Sequence, residues 1–230
     1  MPKSKILIVE DDRSLADVLE YNLSSAGYET IWSSDGQDAL NQARLKVPDL
    51  VLLDLMIPVV DGLEVCKHLR ASAHTRNIPI VMLTAKGEET DELVGFSVGA
   101  DDYVVKPFSV KILLERIKNL LRRRGQNQNA NGETTTLCGV TVDRVKHRVS
   151  IQGQLVDLTP SEFRLLDTMI RQPGRAFDRN ELIDAALGTD TLVLERTIDV
   201  HIRSLRKKLG DENELIQTVR GIGYRFREQN

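Results

Sequence analysis

Four short apolar runs, each closed by a polar residue, constrain this chain more than any other feature. Lys5-Ile6-Leu7-Ile8-Val9 leads to Asp11-Asp12, Leu50-Val51-Leu52-Leu53 to Asp54, Ile80-Val81-Met82-Leu83 to Thr84, and Tyr103-Val104-Val105 to Lys106. With a further strand near 29–33 and helical stretches near 14–26 and 36–46, strands and helices alternate through five units. That alternation predicts a doubly wound α/β domain around a five-stranded parallel sheet. In such a sheet the strand carboxyl ends share one edge, so segments far apart in sequence deliver three carboxylates, a hydroxyl and an ammonium to one crevice. No G-x-G-x-x-G follows the first strand and no G-K-[ST] loop is present, which leaves a dinucleotide or nucleoside triphosphate without a cradle.

Adjacent carboxylates repel unless a cation joins them, and Mg²⁺ is typically held by one or two carboxylates plus water. Asp11 and Asp12 are the expected metal ligands, with Asp54 as the third carboxylate. Asp54 can attack a phosphoryl donor if a metal and a fixed cation neutralise the growing charge, and Lys106 is that cation. The hydroxyl of Thr84 can donate to a phosphoryl oxygen. Any one of these residues alone has a simpler explanation, an Asp after a strand as a helix cap or a Lys-Pro as a loop start. Their ordered spacing over four strands favours the joint site.

The segments Ile6 to Asp12, Asp54-Leu55-Met56-Ile57-Pro58 with Asp61-Gly62, Leu83-Thr84-Ala85, Gly99-Ala100-Asp101-Asp102-Tyr103 and Lys106-Pro107-Phe108 resemble the receiver domain of bacterial two-component response regulators, a flavodoxin-like fold. The resemblance implies that Asp54 accepts a phosphoryl group from a sensor histidine kinase. It also implies that Asp11, Asp12, Asp54 and the backbone carbonyl of Met56 hold Mg²⁺, and that Thr84 and Tyr103 form a switch pair. The Lys-Pro bond is usually cis in that family.

The 230 residues, 41% hydrophobic and 28% charged, suit two modest soluble domains. No apolar run approaches membrane-spanning length and the start lacks a signal-peptide core, so a cytoplasmic protein with no membrane partner is expected. Cys66 and Cys138 follow no metal spacing and are expected as free thiols. The net charge of −3 is uneven: residues 1–121 hold 13 Lys and Arg against 19 Asp and Glu, the remainder 18 against 15. An acidic front half fits a metal crevice, and a mildly basic back half leaves room for a polyanion. Helical periodicity in Ile112, Leu113, Ile117, Leu120 and Leu121 is expected to stop at Arg122-Arg123-Arg124 and Gly125. Gln126 to Gly132 then form a polar tether, spanning on the order of 15 to 20 Å as a coil. The expected domains are 1–124, a linker 125–134, and 135–230.

Behind the tether, segments near 137–142, 149–152 and 155–158 predict a small antiparallel sheet. Thr159-Pro160-Ser161-Glu162 and Asp178-Arg179-Asn180-Glu181 predict capped helix starts. A third helix, about 195 to 209, places Ile198, Ile202, Leu205 and Leu209 inward and Arg196, Thr197, Val200, His201, Arg203, Ser204, Lys207 and Lys208 outward. Such an outer face suits a DNA major groove, with Asp199 holding Arg203 in place. Thr218 to Phe226 form two strands around a glycine-bearing turn with Arg220 at its tip.

Leu158 to Phe163, Arg196 to Arg203 and Val219 to Tyr224 together resemble the winged helix-turn-helix DNA-binding domain of the OmpR/PhoB subfamily, an α+β fold. This implies double-stranded DNA as partner, contacted through the third helix and hairpin, with Arg206, Thr218 and Tyr224 added to the residues above. It also implies RNA polymerase contact through the loop 187–194. A homodimer of phosphorylated receivers is implied through Leu93, Phe96, Asp102, Ile112, Arg116 and Lys118, with Asp102 and Arg116 as a linking ion pair. Leu187 stands where a Trp is common, Ser204 where a second Arg is common, and Glu92 with Ile112 removes one family ion pair. The expected protein is therefore a phosphorylation-switched transcription regulator and not an enzyme with an external product. Two alternatives are a constitutive DNA-binding regulator and a phosphohydrolase; the latter needs an acid two residues after Asp54, where Met56 stands.

Overall fold

A computed structural model describes residues 3–85, 98–126, 134–186 and 196–228; the side chains of 85, 123–126, 196 and 197 are also outside the description. The chain divides into two compact units, residues 1–121 and 122–230. In the first, β1 (Lys5–Val9), α1 (Arg13–Ser25), β2 (Glu29–Ser33), α2 (Gly36–Lys46), β3 (Leu50–Asp54), α3 (Gly62–Ala71), β4 (Ile80–Ala85), β5 (Asp102–Lys106) and α4 (Val110–Gln126) follow in order. The strands are parallel and ordered β2-β1-β3-β4-β5. The order reverses between β1 and β3, and ligands of open α/β sheets bind at the strand carboxyl ends beside such a reversal.

Burial on both faces explains the unbroken apolar runs. Ile6, Ile8, Leu50, Leu52, Val81, Leu83 and Val104 pack with Leu19 and Leu23 of α1 and Leu113, Ile117 and Leu120 of α4. The alternate residues Leu7, Val9, Val51, Leu53 and Met82 are equally buried, as are Ala39, Leu40, Val65 and Leu69 of the mutually packed α2 and α3. Helix α4 runs through Arg122-Arg123-Arg124 and Gly125 to Gln126, beyond the expected stop, while the tether residues 127–133 lie outside the described residues. Arg and Lys in a last helical turn favour the helix terminus rather than break it.

Arg70 was not singled out by the sequence, yet it ties α3 to the two stretches of chain that lead into β4 and β5. Its guanidinium donates to Gly99 O (2.7 Å), Arg76 O (2.8 Å), Ile78 O (2.7 Å) and the Asp101 carboxylate (2.7 Å). The same Asp101 oxygen accepts from Ile80 N at 2.9 Å, so the start of β4 and the entry to β5 share one anchor.

In the second unit, β6 (Thr134–Leu137), β7 (Val140–Asp143), β8 (Arg148–Ile151) and β9 (Gln154–Val156) form an antiparallel sheet. Four strands replace the three expected segments, because Cys138 (φ 49°) and Gly139 (φ 79°) turn the chain inside the stretch taken as one strand. Two successive positive φ values give the hairpin turn whose twist matches its strands. Helices α5 (Pro160–Ile170), α6 (Arg179–Ala186) and α7 (Arg196–Leu209) follow, with a sheet ordered β10 (Phe177–Asp178), β12 (Gly223–Phe226), β11 (Ile216–Val219). Thr159 and Glu162 close a capping box on α5, with Pro160 in the first turn. Arg144, buried, pairs with Asp167 at 2.6 Å and donates to Thr135 Oγ1 at 2.8 Å, fixing the four-stranded sheet to α5. Both cysteines are free; Cys66 is buried, and burial pushes its thiol up to about 11.

Removing Arg70 leaves the Asp101 carboxylate buried without its cation. Arg70→Ala is therefore expected to lower the stability of the first unit by about 3–5 kcal/mol, read as a drop in the urea midpoint at unchanged m. A midpoint within experimental scatter of the parent would remove Arg70 from this anchoring role.

Candidate functional site

At the carboxyl edge of the sheet, Asp54 ends β3, Thr84 lies on β4 one residue beyond Asp54's partner Leu83, and Lys106 ends β5. The Lys106 ammonium lies 2.6 Å from Asp54 Oδ2 and 2.7 Å from Glu10 Oε2. Asp54 Oδ1 accepts from Met56 N at 3.1 Å. Both carboxylates are almost fully buried, whereas Lys106 keeps about a quarter of its side chain exposed. Burial pushes the Glu10 carboxyl above its ordinary range; the hydrogen bond from Lys106 opposes the rise and the charge of Asp54 adds to it. Burial pulls the Lys106 ammonium down, but hydrogen bonds to Asp54 and Glu10 outweigh it and hold the group above its usual value.

Carboxylate oxygens of Glu10, Asp11 and Asp54 lie within 4.8 Å of one another. An all-oxygen set at that spacing fits a hard divalent cation such as Mg²⁺. Asp12, expected in this set, instead caps α1: its Oδ1 accepts from Ser14 N (2.8 Å) and Leu15 N (3.3 Å). Glu10 converges in its place. The run of three acids was the available signal, but sequence alone does not say which of three consecutive side chains turns toward the crevice and which caps the helix.

Gly62 permits the loop between β3 and α3 to close on the site, since a Cβ there would stand 2.2 Å from Asp54 O. In the same loop Val59 has φ 72°, and Val60 N donates to Pro58 O at 2.9 Å. A tight turn with positive φ at a β-branched residue is strained, and such strain is often found beside functional groups. Met56 and Val59 are each 78% exposed, so this loop presents an apolar rim beside a charged crevice. The Lys106-Pro107 bond is cis. Thr84 and Tyr103 are buried, and the Tyr103 hydroxyl lies 2.7 Å from Met82 Sδ.

Asp102 and Arg116, expected to link two subunits, pair within one chain: Arg116 Nη1 lies 2.7 and 2.9 Å from the two Asp102 oxygens, with both residues buried. Burial raises the Asp102 carboxyl, against the pull of Arg116. Ile112 and Lys118 are exposed on α4. Leu93, Phe96 and Glu92 lie outside the described residues, as does the loop 187–194.

In the second unit the outer face of α7 is narrower than expected. His201 is 1% exposed. It falls three residues after Ile198 and four before Leu205, on the apolar stripe itself, and its spacing outweighs its polarity. Ser204 donates to Glu162 Oε1 at 2.6 Å, and Lys208 lies 2.6 Å from Glu162 Oε2. Arg206 donates to Ile216 O (2.7 Å) and Thr218 Oγ1 (2.9 Å), bracing β11. Asp199 holds Arg179 (2.9 Å) and the Tyr224 hydroxyl (2.7 Å) rather than Arg203. Tyr224 is correspondingly buried. Arg203 and Lys207 remain exposed one turn apart, Val200 is half-buried beside them, and Arg220 is exposed at the β11–β12 turn. The side chains of Arg196 and Thr197 are outside the description. Exposed Arg and Lys on one helix and at a hairpin tip suit phosphate and base-edge contacts.

Residues 6–118 match the family described as response regulator receiver domain, and residues 153–226 the family described as transcriptional regulatory protein, C terminal. The phosphate regulon transcriptional regulatory protein PhoB of Rhizobium meliloti (strain 1021) is 44% identical over 223 residues, covering 96% of this chain and 97% of that protein. PhoB of Escherichia coli (strain K12) is 42% identical over 224 residues, with 96% and 97% covered. Among solved structures, a RitR mutant has a TM-score of 0.80 at 26% identity, covering 98% of this chain and 100% of its own. A putative response regulator from Chloroflexus aurantiacus J-10-fl has a TM-score of 0.52 at 40% identity, covering 53% and 100%.

The two neighbouring acids are expected to separate on substitution. Asp12→Ala should cost about 1 kcal/mol of stability through the lost cap while Mg²⁺ affinity persists. Asp11→Asn should weaken Mg²⁺ binding at nearly unchanged stability. Calorimetric Mg²⁺ titration with thermal melts of both variants decides the assignment, and loss of Mg²⁺ binding in Asp12→Ala alone would reverse it.

Proposed function

Because the chain belongs to the OmpR/PhoB family of two-component response regulators, with a receiver followed by a DNA-binding domain, we propose that phosphorylation of Asp54 by a sensor histidine kinase controls its binding to DNA. The contact of the Lys106 ammonium with both Asp54 and Glu10 supports this most directly. An Asp54 oxygen attacks phosphorus, the bond from phosphorus to the donor breaks, and the donor leaves with that electron pair. Glu10, Asp11, Asp54 and the Met56 carbonyl would hold Mg²⁺, which when bound would neutralise charge at the phosphoryl oxygens. Lys106 holds a second positive charge there without needing to be recruited. The buried hydroxyl of Thr84 then senses the phosphoryl group, with Tyr103 as its partner.

The chain thus catalyses its own phosphorylation, and slow loss of the group, without an external product. The DNA-contacting set is Arg203, Lys207, Val200 and Arg220, with Arg196 and Thr197 at the start of the helix. Ser204, Arg206, Thr218 and Tyr224 shape the surface that presents them. Phosphorylated receivers pair through the exposed face of α4 that includes Ile112 and Lys118, and two DNA-binding domains then engage neighbouring half-sites. Two-point attachment raises affinity by effective concentration, without a new contact at either site. RNA polymerase and a cytoplasmic location complete the reading, with domains at 1–124 and 135–230 joined by the polar tether.

DNA affinity of the full chain for a promoter fragment at fixed salt, with and without acetyl phosphate and Mg²⁺, tests the switch in wild type and Asp54→Ala. Tightening only in phosphorylated wild type is expected; equal affinity in all four conditions would favour constitutive binding. Arg203→Ala is expected to weaken DNA binding by about 1–3 kcal/mol while phosphorylation survives. Full affinity in that variant would displace α7 from the groove.

A further inference from the structure

The peptide joining Glu10 to Asp11 lies between two of the three converging carboxylates, and the end of β2 holds the Glu10 backbone on either side of its Cα, the carbonyl side being that peptide. Glu10 N donates to Ser33 O at 3.1 Å, and Glu10 O accepts from the indole Nε1 of Trp32 at 2.9 Å. Trp32 is the single tryptophan of the chain and is half-buried against the core. The Arg13 guanidinium sits 4.1 Å from its ring centroid, within cation–π range. Arg13 is itself drawn toward α1 by Asp17 at 2.7 Å and Glu20 at 3.3 Å. One aromatic side chain therefore joins three things: the edge strand, the first turn of α1, and the backbone that aims Glu10 and Asp11.

We propose that Trp32 is a positioning residue for the divalent-cation site, its indole N–H fixing the Glu10–Asp11 peptide so that both carboxylates reach one ion. The inference rests on Glu10, Asp11 and Asp54 forming that site. A cation gains most from ligands already aligned, because groups that must first be ordered lose conformational freedom on binding. Both acids are adjacent on one backbone, and rotating their common peptide moves the two carboxylates in different directions. A donor on the Glu10 carbonyl blocks that rotation. Packing of the ring against the core covers apolar surface but does not by itself fix a peptide plane, so the N–H and the ring make separable contributions.

Calorimetric titration of the full chain with MgCl₂ at pH 8 separates them. Trp32→Phe keeps an aromatic ring and removes the N–H, and is expected to weaken Mg²⁺ binding by roughly 10- to 100-fold. Trp32→His restores an N–H at the matching five-membered-ring position and is expected to recover most of that loss. With acetyl phosphate, Trp32→Phe should need more Mg²⁺ for half-maximal phosphorylation while reaching the wild-type extent at saturation. Unchanged Mg²⁺ affinity in Trp32→Phe, or equal weakening in Phe and His variants, would overturn the role of the N–H. Wild type and Asp11→Asn are the controls: failure of wild type to bind Mg²⁺ at all would remove the site, whereas binding that Asp11→Asn abolishes and Trp32→Phe leaves intact would remove only Trp32. Should Trp32→Phe not fold, wild-type Trp32 emission provides the second measurement. It is expected to change on Mg²⁺ saturation and not in Asp11→Asn, and an unchanged emission would overturn the coupling.

Discussion

The first unit turns on an ammonium held between two buried carboxylates. Asp54 and Glu10 stand at the ends of neighbouring strands β3 and β1, where their charges repel and burial raises the Glu10 carboxyl above its ordinary range. Lys106, delivered by β5, offsets that repulsion from across β4. The three residues are separated by up to 96 positions in sequence and meet only because every strand of the sheet runs in the same direction. A crevice that already places fixed positive charge beside a nearly enclosed carboxylate is prepared for a group whose negative charge grows during transfer.

A comparable arrangement organises the second unit around Glu162. It is buried, closes the capping box of α5, and accepts from Ser204 and Lys208 of α7. Helix start and helix crossing are thus set by the same carboxylate. Asp199 does the corresponding work for α6 and the hairpin through Arg179 and Tyr224. Polar residues that a helical wheel assigns to the solvent face are used as internal braces, which leaves a smaller set of cations facing outward.

Apolar runs, caps and most element positions were legible because they depend on neighbours a few residues away. The five strands, the capping box at Thr159 and the separation of front and back halves follow from local patterning. Other features depended on distant partners. Arg70 carries no local signature, since its acceptors sit on two other stretches of chain, those leading into β4 and β5. His201 looked like a groove residue by type, although its spacing put it with Ile198 and Leu205. Asp12 was drawn to the cap of α1 and Glu10 converges on the crevice in its place, because a helix N-terminus competes with the crevice for carboxylates. The split of the 137–142 stretch into a hairpin depended on Cys138 taking a positive φ, a conformation not implied by its residue type.

By itself the sequence determined the doubly wound sheet, the polar residues at its carboxyl edge, the two-domain order and the family. Periodicity and charge placement act along the chain, and two-sided burial leaves few alternatives for runs so uniformly apolar. Tertiary structure decided which acids converge, which basic residues stay free, and that Asp102 binds Arg116 within its own chain. Those outcomes compare interactions between groups remote in sequence, and burial magnifies each difference: an unpaired charge inside the protein costs several kcal/mol, whereas the same charge at the surface costs almost nothing.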